Sequence, residues 1–291
     1  MKNAATGRLY VVATPIGNLG DLSARARATL EGCSVVAAED TRHSGALLAH
    51  VGLKKPLVSL HDHNEAQRAP ELIAQLLGGD SIALVSDAGT PAISDPGYGL
   101  VRLAAEAGIE VVAVPGPCAA VAALSTGGVP TDRFCFEGFL PARGSARRTR
   151  LDALKTEPRT LVFYESPHRV VETLEDCAGA FGLVRNAVVA REITKLHETT
   201  YRGSLGELVA RAAGDADFAR GEIVLIVGGA PVVEAEGGAD GHGGALDKVL
   251  VVLMAELPLK QAAHLAAKIA GTRDNETYKR ALALRQQGQG T

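Results

Sequence analysis

The segment SDAGTPAISDPG at positions 86–97 is the part of this chain that indicates its fold. It follows the apolar run 82–85, which is typical of a buried parallel strand, and it precedes a helical pattern that starts at position 98. Open α/β sheets bind ligands at the carboxyl ends of their strands, which is where this loop lies. Connections between strand and helix usually take a few residues. This longer one, with its glycines and prolines, therefore predicts a ligand-binding loop.

Strand and helix patterns alternate through the first 128 residues. The predicted strands are 9–13, 35–38, 57–60, 82–85 and 110–114, and helical patterns separate them at 21–31, 41–50, 65–77 and 98–107. This alternation predicts a parallel sheet with helices on its faces. The polar loops 14–20, 39–42, 61–64, 86–97 and 115–118 each follow a strand. We therefore expect them to gather at one edge of the sheet.

A second α/β unit follows. Its predicted strands are 134–140, 160–164, 186–192, 198–202 and 222–227, with helices near 145–156, 167–181 and 205–213. The strand 198–202 follows its predecessor too closely for a helical crossover, which predicts a mixed sheet. The sequence thus indicates an α/β fold with domains at 1–128 and 129–229, a flexible linker at 230–244, and a helical module at 245–291 that is compatible with a helix-turn-helix-like arrangement.

The composition narrows the function. The net charge of −3 does not draw the whole protein to nucleic acid, so RNA binding would depend on local basic patches. The four cysteines form no CxxC pair, and no segment approaches the length of a membrane span, so we expect a cytoplasmic protein. The sequence contains no G-x-G-x-x-G after a strand and no P-loop. His61-Asp62-His63 has metal-ligating residue types, but a polar loop is the favoured interpretation, and we expect no metal.

Six motifs occur in order along the chain. They are ATPIGNLGD at 13–21, AEDTR at 38–42, SDAGTPAISDPG at 86–97, PGP at 115–117, FYESPHR at 163–169 and AREITKLHE at 190–198. In this combination the chain resembles the bacterial 16S rRNA cytidine 2′-O-ribose methyltransferase family of the tetrapyrrole methylase superfamily. The resemblance covers about residues 8–229. It implies a homodimer that binds S-adenosyl-L-methionine between two α/β domains and methylates a cytidine in the decoding region of 16S rRNA, within naked rRNA or the 30S ribosomal subunit.

The same resemblance implies a set of cofactor-binding residues. By position they are Pro15, Ile16, Ser86, Asp87, Ala88, Gly89, Thr90, Pro117, Cys118, Ala119, Tyr164 and Arg191. Relatives often have serine at the position of Cys118, and because a thiol is a weaker hydrogen-bonding group, we expect a contact there through the backbone. Asp87 has an alternative role as a cap of its own loop.

Transfer of a methyl group to a ribose hydroxyl requires a group that accepts the hydroxyl proton. The candidates in the sequence are Asp40, Glu165, His168 and Lys195. Each has an alternative. Asp40 is also placed to cap the helix 41–50, and Glu165 and His168 are placed to form a salt-bridged turn. Lys195 would need a lowered pKa to act as a base, and otherwise it stabilises charge or contacts phosphate.

Four arginines cluster after the turn at 139–141. They are Arg143, Arg147, Arg148 and Arg150, and they predict an RNA-binding surface, with a solvated helix face as the alternative. Two other functions stay open. The chain has features compatible with a methyltransferase of the same fold acting on a precorrin or uroporphyrinogen, and with a non-catalytic rRNA-binding assembly protein.

Overall fold

A computed structural model describes residues 6–231 and 243–287. These residues belong to two compact units, which divide at position 230. The first unit contains two five-stranded sheets, and the second contains helices. No helix in the described ranges is long and apolar enough to cross a bilayer.

The first sheet is entirely parallel. Its strands are β1 (Arg8–Val12), β2 (Val35–Ala38), β3 (Leu57–Ser59), β4 (Ile82–Val85) and β5 (Glu110–Val114). They lie in the order β3-β2-β4-β1-β5, so the ladder places β1 and β4 side by side near the centre. The predicted parallel sheet is confirmed, with strand bounds within one residue of the predicted ones. The loops that follow β1, β2 and β4 consequently lie next to each other at one edge.

Helices cover both faces of this sheet. They are α1 (Ala24–Gly32), α2 (Thr41–His50), α3 (Glu65–Leu77) and α4 (Tyr98–Glu106), with a short 3-10 helix at Leu19–Asp21. Apolar residues of α1 and α2 pack on one face around Val12 and Val36, and those of α3 and α4 pack on the other around Leu9 and Leu84. The sheet is therefore buried on both sides, which explains why its strands read as continuous apolar runs.

The second sheet is mixed, as the sequence predicts. Its strands are β6 (Phe134–Phe139), β7 (Thr160–Glu165), β8 (Asn186–Arg191), β9 (Thr199–Ser204) and β10 (Ile223–Val227), in the order β6-β7-β10-β8-β9. Only the β6–β7 pair is parallel. Its helices are α6 (Gly144–Ala153), α7 (Val170–Phe181) and α8 (Leu205–Gly214).

The helix α5 (Ala119–Gly127) joins the two sheets in space. It follows β5 of the first sheet, but Ala120, Ala123 and Leu124 pack against strands of the second sheet. The sequence patterns do not predict this helix, because its first six residues are all apolar and give no periodicity. Its packing fixes the carboxyl end of β5 beside the second sheet.

The second unit contains α9 (Gly243–Glu256), α10 (Leu259–Ala270) and α11 (Asp274–Gln287). Leu250, Ala266 and Ala281, one from each helix, form its apolar centre. Gly271 adopts a left-handed conformation with φ of +66° and ends α10, as the sequence suggests. Most of the predicted linker at 230–244 lies outside the described residues.

Candidate functional site

A cavity of about 340 Å³ lies between the two sheets of the first unit. The loop after β4, the start of α5, the end of β7 and the start of β10 form its walls. Eight of the predicted site residues line it: Ile16, Ala88, Gly89, Thr90, Cys118, Ala119, Tyr164 and Glu165. The structure therefore brings together residues that are up to about 150 positions apart in the sequence. Those of the first sheet lie at the edge where the carboxyl ends of its strands were expected to meet.

Backbone pairing holds the loops after β1 and β4 together. Thr14 N donates to Gly89 O at 2.9 Å, and Gly89 N donates to Thr14 O at 3.2 Å. The Thr14 hydroxyl also donates to Ser86 O at 3.1 Å, and the Thr90 hydroxyl donates to Pro117 O at 3.0 Å. Three loops that follow three different strands are thereby fixed against each other.

Gly89 is required at its position for two reasons. Its φ of +90° lies in the region that favours glycine, and a Cβ there would come within 3.2 Å of Ile16 Cγ2. At this point the cavity is lined by the backbone of a buried glycine, and a side chain there would crowd Ile16, which also lines the cavity. Such a bare backbone surface allows the close approach of a ligand.

Four residues other than glycine have positive φ in the described ranges, and they occupy two loops beside the cavity. Ala92 and Ser94 lie in the loop after β4, with φ of +66° and +63°, and Glu192 and Thr194 lie after β8, with φ of +53° and +68°. Ser94 and the neighbouring Ile193 line the cavity. Backbone conformations of this kind cost free energy and concentrate at functional sites.

Tyr164 closes one side of the cavity. Its hydroxyl accepts a hydrogen bond from Ala120 N at 3.3 Å, and its ring makes edge contacts with Phe136 and Phe139. Burial raises the pKa of Tyr164, so the hydroxyl stays protonated at neutral pH. Tyr164 can therefore donate a hydrogen bond to a ligand while it orients the start of α5.

Asp95, which no sequence signal marked as a site residue, lines the cavity. Burial raises its pKa to about 6. A hydrogen bond from Ser86 opposes this increase, whereas the charges of Asp87 and Asp62 add to it. The SDPG pattern itself carries no signal of this environment, because Asp62, one of the carboxylates that raise the pKa of Asp95, follows a different strand.

The cavity wall is acidic. Its ionisable carboxyl groups are those of Asp95, Glu165 and Glu222, and among the residues that the structure describes no lysine, arginine or histidine lines it. Its apolar side chains include Ile16, Ile193, Ile223 and Val224. An environment of this kind suits a ligand that combines a flat apolar ring with a positive charge.

Asp40, a candidate base, interacts with the helix that follows it. Asp40 caps α2 through Arg42 N at 2.8 Å, and its carboxylate also binds the Arg42 guanidinium at 2.7 Å. These hydrogen bonds lower the pKa of Asp40, which makes it a poor proton acceptor. The capping alternative is the one the structure supports.

Lys195 contacts Glu192 and Glu222 at 2.9 and 3.2 Å. Burial acts to lower the pKa of Lys195, but the two carboxylates outweigh burial, so the pKa is raised. A base would require the opposite shift. These ion pairs favour the alternative in which Lys195 stabilises charge, and its role as a base stays a prediction.

Glu165 and His168 lie close in sequence, but Glu165 is buried and His168 is exposed. Glu165 is fully buried, and its carboxylate accepts hydrogen bonds from Ser166 N at 2.8 Å and the Thr173 hydroxyl at 2.7 Å, with Arg169 at 3.3 Å. His168 is exposed and does not line the cavity. Glu165 thus acts as the buried centre of a turn, paired with Arg169 where the sequence suggested His168.

The remaining predicted cofactor residues stand behind the cavity wall. Asp87 Oδ1 accepts from Asp40 N at 2.9 Å and so links the loops after β2 and β4, which differs from a cap of its own loop. Ser86 is buried beneath Gly89, and Arg191 Nη1 donates to His197 O at 3.4 Å. Pro15 is buried, and Pro117 contributes the carbonyl that Thr90 binds. These residues shape the site without lining it.

The arginine cluster separates into two groups. Arg147 is fully buried, with ion pairs to Asp176 and Glu172 at 2.7 Å each, so its prediction as an RNA contact is wrong. Arg147 lies one turn before Leu151, on the face of α6 that packs against α7. Helical spacing placed Arg147 on one face with Arg143 and Arg150, but spacing alone does not show that Arg147 is buried. Arg143, Arg148 and Arg150 are exposed, although Arg150 also binds Glu137.

Comparison with known proteins places the chain in a family. The family model described as Tetrapyrrole (Corrin/Porphyrin) Methylases matches residues 8–209, and the one described as RsmI C-terminal HTH domain matches residues 240–285. A curated relative from Escherichia coli O157:H7, called ribosomal RNA small subunit methyltransferase I, is 54% identical over 282 residues, which cover 97% of this chain and 96% of the relative.

Solved structures have the same fold. A uroporphyrin-III-C-methyltransferase from Thermus thermophilus superposes with a TM-score of 0.54 at 25% identity, covering 76% of this chain and 94% of the other. Another crystal structure of that Thermus enzyme, complexed with S-adenosylhomocysteine, gives a TM-score of 0.52 at 20% identity, covering 76% and 97%. The chain therefore belongs to the tetrapyrrole methylase family and, within it, to the family of ribosomal RNA small subunit methyltransferase I.

Proposed function

We propose that this protein transfers a methyl group from S-adenosyl-L-methionine to the 2′-hydroxyl of a cytidine ribose in the decoding region of 16S rRNA. The observation that carries this proposal is the acidic, partly apolar cavity between the two sheets, in a chain that matches named rRNA small subunit methyltransferases over nearly its whole length. A substrate ribose would enter beside the cofactor at the open side of this cavity.

The residues of the cavity suit the proposed cofactor. Its volume of about 340 Å³ falls within the usual range for small-molecule sites. The bare backbone at Gly89 leaves space that a Cβ would fill, and Ile16 and Val224 offer apolar surface for the adenine. The carboxylates of the wall complement the positive charge of the sulfonium and amino groups.

The cofactor, when bound, supplies a methyl group that its own positive charge already activates for displacement. The protein then has to align the ribose oxygen with the methyl carbon and exclude water. The Thr14–Gly89 pairing and the α5 packing hold the two sides of the cavity at a fixed separation. No metal is needed for this chemistry, and we propose none.

RNA would approach the exposed arginines at the start of α6. Arg143 is exposed and forms no ion pair with any residue in the described ranges, and Arg148 is 60% exposed. Arg169 Nη2 donates to Leu140 O at 2.8 Å and holds the turn that carries Arg143. We further propose that the protein acts as a cytoplasmic homodimer on naked 16S rRNA or the 30S subunit.

Methyl transfer to purified 30S subunits from a strain that lacks the modification tests the proposal. We expect one labelled methyl group per subunit, located on a cytidine ribose. Label on a base, or no label on RNA, would contradict it. Parallel incubation with uroporphyrinogen III tests the alternative of a tetrapyrrole substrate. The wall carries no cations to receive the carboxylates of such a molecule, so we expect no transfer to it.

Calorimetry separates these enzyme functions from a non-catalytic assembly role. Binding of S-adenosyl-L-methionine with one site per chain supports an enzyme. The absence of binding at millimolar cofactor, together with retained affinity for rRNA, would support the assembly protein instead.

A further inference from the structure

We propose that Phe139 is a substrate-binding residue whose ring stacks on the base of the nucleotide that is methylated. This inference rests on the proposed function and deepens it, because it assigns the surface that receives the target nucleotide. Phe139 is the last residue of β6, lines the cavity and is 57% exposed. Its ring therefore lies at the mouth of the cavity, where a substrate ribose would enter.

A bulge in β6 directs Phe139 towards the cavity. The register of the β6–β7 pair shifts between Phe136 and Gly138, so that Phe136 lies opposite Val162 and Phe139 lies opposite Tyr164. Because successive side chains of a strand alternate between faces, regular pairing would place Phe136 and Phe139 on opposite faces of the sheet. The extra residue brings both onto the face of Tyr164, and both rings make edge contacts with it. Bulges re-aim side chains in this way next to active sites.

Contacts on both sides of the cavity fix the position of Phe139. The ring of Tyr164 meets it at a centroid distance of 5.6 Å and an interplanar angle of 63°. Gly138, directly before it, has φ of +63°, and a Cβ there would come within 3.0 Å of Ser94 Oγ in the loop after β4. The end of β6 thus lies against that loop. A ring that is held in place before binding loses little entropy when a base stacks on it.

The charges beside the mouth suit an RNA chain. Beyond Phe139 the chain turns and reaches the exposed Arg143 and Arg148, which are able to bind the phosphates that flank a target nucleotide. Arg169 Nη2 donates to Leu140 O at 2.8 Å and so fixes the turn between the ring and these cations. Unstacked bases of RNA are commonly received on aromatic side chains. The ring and the cations together therefore fit one splayed-out nucleotide and its phosphates.

The adenine of the cofactor is the other flat group in the proposed reaction. Ile16 and Val224 line the cavity and are buried, so they offer adenine an enclosed apolar surface. Phe139 is more than half exposed. An exposed ring at the mouth suits a base that stays attached to an RNA chain outside the cavity, and we therefore assign Phe139 to the substrate.

Methyl transfer to 30S subunits tests this assignment in two variants of Phe139. Phe139→Leu keeps an apolar side chain and removes the flat ring, so kcat/KM for the subunit should fall by about 10-fold to 100-fold, the usual loss when a stacking ring is removed. Phe139→Trp should stay within about threefold of wild type, because it keeps a π-face for the base. The cofactor Kd, measured by calorimetry, should not change in either variant.

Phe134→Leu is the matched control. Phe134 is also an exposed phenylalanine of β6, but it lies at the other end of the strand and does not line the cavity. The kcat/KM of this variant should equal that of wild type. An equal loss in Phe134→Leu and Phe139→Leu would show a general effect of exposed rings on the fold and would overturn the inference.

Fluorescence detects the stacking itself. The chain contains no tryptophan, so Phe139→Trp introduces a single reporter. With 5-hydroxytryptophan incorporated, the reporter is excited apart from the tryptophans of the subunit's own proteins. We expect quenching when 30S subunits that lack the modification are added together with S-adenosylhomocysteine, and no quenching in Phe134→Trp. Quenching by S-adenosylhomocysteine alone would assign the ring to the adenine and would overturn the inference.

Failure of the inference and failure of the proposed function give different results. A Phe139→Leu enzyme with the kcat/KM of wild type, or one whose loss lies in the cofactor Kd, would overturn the inference alone. A wild-type protein that transfers no methyl to the subunit would overturn the proposed function and the inference with it.

Discussion

Thr14 and Gly89 form a two-hydrogen-bond bridge, with N–O distances of 2.9 and 3.2 Å, between loops that follow neighbouring strands of the parallel sheet. β1 and β4 are adjacent and parallel, and this antiparallel bridge ties their loops together beyond the strand ends. It presents the backbone of Gly89 to the cavity and holds Ile16 beside it. The predictions below begin at this bridge.

Gly89→Ala should weaken cofactor binding by about tenfold. The added Cβ would lie 3.2 Å from Ile16 Cγ2 and would force an unfavourable φ of +90°. Gly108→Ala is the matched control, because Gly108 also has a positive φ, of +71°, but a Cβ there meets nothing within 4 Å. Both variants should lose about 1 kcal/mol of stability. Calorimetry should find the change in cofactor Kd in Gly89→Ala alone, and an equal change in both would contradict this role of Gly89.

Asp95→Asn should stabilise the folded protein at neutral pH. The pKa of Asp95 is about 6 in the folded state, against 3.8 for an unperturbed aspartate. The folded state therefore binds this proton more tightly, so the contribution of Asp95 to stability is complete below about pH 4 and is lost as the pH rises through 6. The pKa difference corresponds to roughly 3 kcal/mol, which solvent screening of this partly exposed group reduces, so the variant should exceed wild type by about 2 kcal/mol at pH 7.5.

Urea unfolding at pH 3.5, 5 and 7.5 measures this difference. It should approach zero at pH 3.5 and grow with pH. A difference that is constant from pH 3.5 to 7.5 would show that Asp95 does not titrate as described.

Arg147→Met should destabilise the protein much more than Arg148→Ala. Arg147 is fully buried against Asp176, so its removal leaves a buried carboxylate without its partner and should cost about 3 kcal/mol of stability. Arg148 is 60% exposed and lies 3.5 Å from the same carboxylate, so Arg148→Ala should cost less than about 1 kcal/mol. Chemical unfolding of the two variants measures both values. A stable Arg147→Met protein would contradict the buried pair.

RNA affinity should follow the exposed arginines. Arg143→Ala and Arg148→Ala should each weaken rRNA binding and reduce the slope of log affinity against log salt by about 1, because each removes one phosphate contact. Arg68→Ala is the control, since Arg68 is a half-exposed arginine on α3 that pairs with Glu71. Filter binding at several salt concentrations gives the slopes. Equal changes in all three variants would assign the RNA surface elsewhere.

Lys195→Gln should reduce the rate only modestly, by about tenfold or less. Its ammonium group joins Glu192 to Glu222, and its side chain lies against Gly17, where a Cβ would come within 2.4 Å of Lys195 Cγ. Since its pKa is raised, the group stays charged through pH 9 and contributes no titration there. A pH–rate profile that loses an alkaline limb in Lys195→Gln would support Lys195 as a base.

The strands and most helices were predictable because their causes are local. The apolar run at 82–85 and the glycines that end α3 and α10 carry their own signals. The helix α5 was not predictable, because its first six residues are all apolar and its burial depends on the second sheet. Likewise, the loop after β4 was recognisable as a ligand loop from its length and composition, and it does line the cavity.

The roles of single side chains were harder to predict. Asp40 and Glu165 occupy the expected loops, but their partners Arg42 and Thr173 became evident only in three dimensions. The raised pKa of Asp95 arises from its burial and from the carboxylates of Asp87 and Asp62, and the burial of Arg147 arises from α7. Sequence spacing identifies which loops meet, whereas the pKa of a side chain depends on everything packed around it.

We propose that S-adenosyl-L-methionine binds between the two sheets of the first unit. A crystal structure of the protein grown with S-adenosylhomocysteine tests it most directly. We predict density for the ligand in the cavity, against the Gly89 backbone and Tyr164, with the sulfur directed towards open solvent beside Asp95. Ligand density at any other place, or a cavity that stays closed to a ligand which calorimetry shows to bind, would contradict the account.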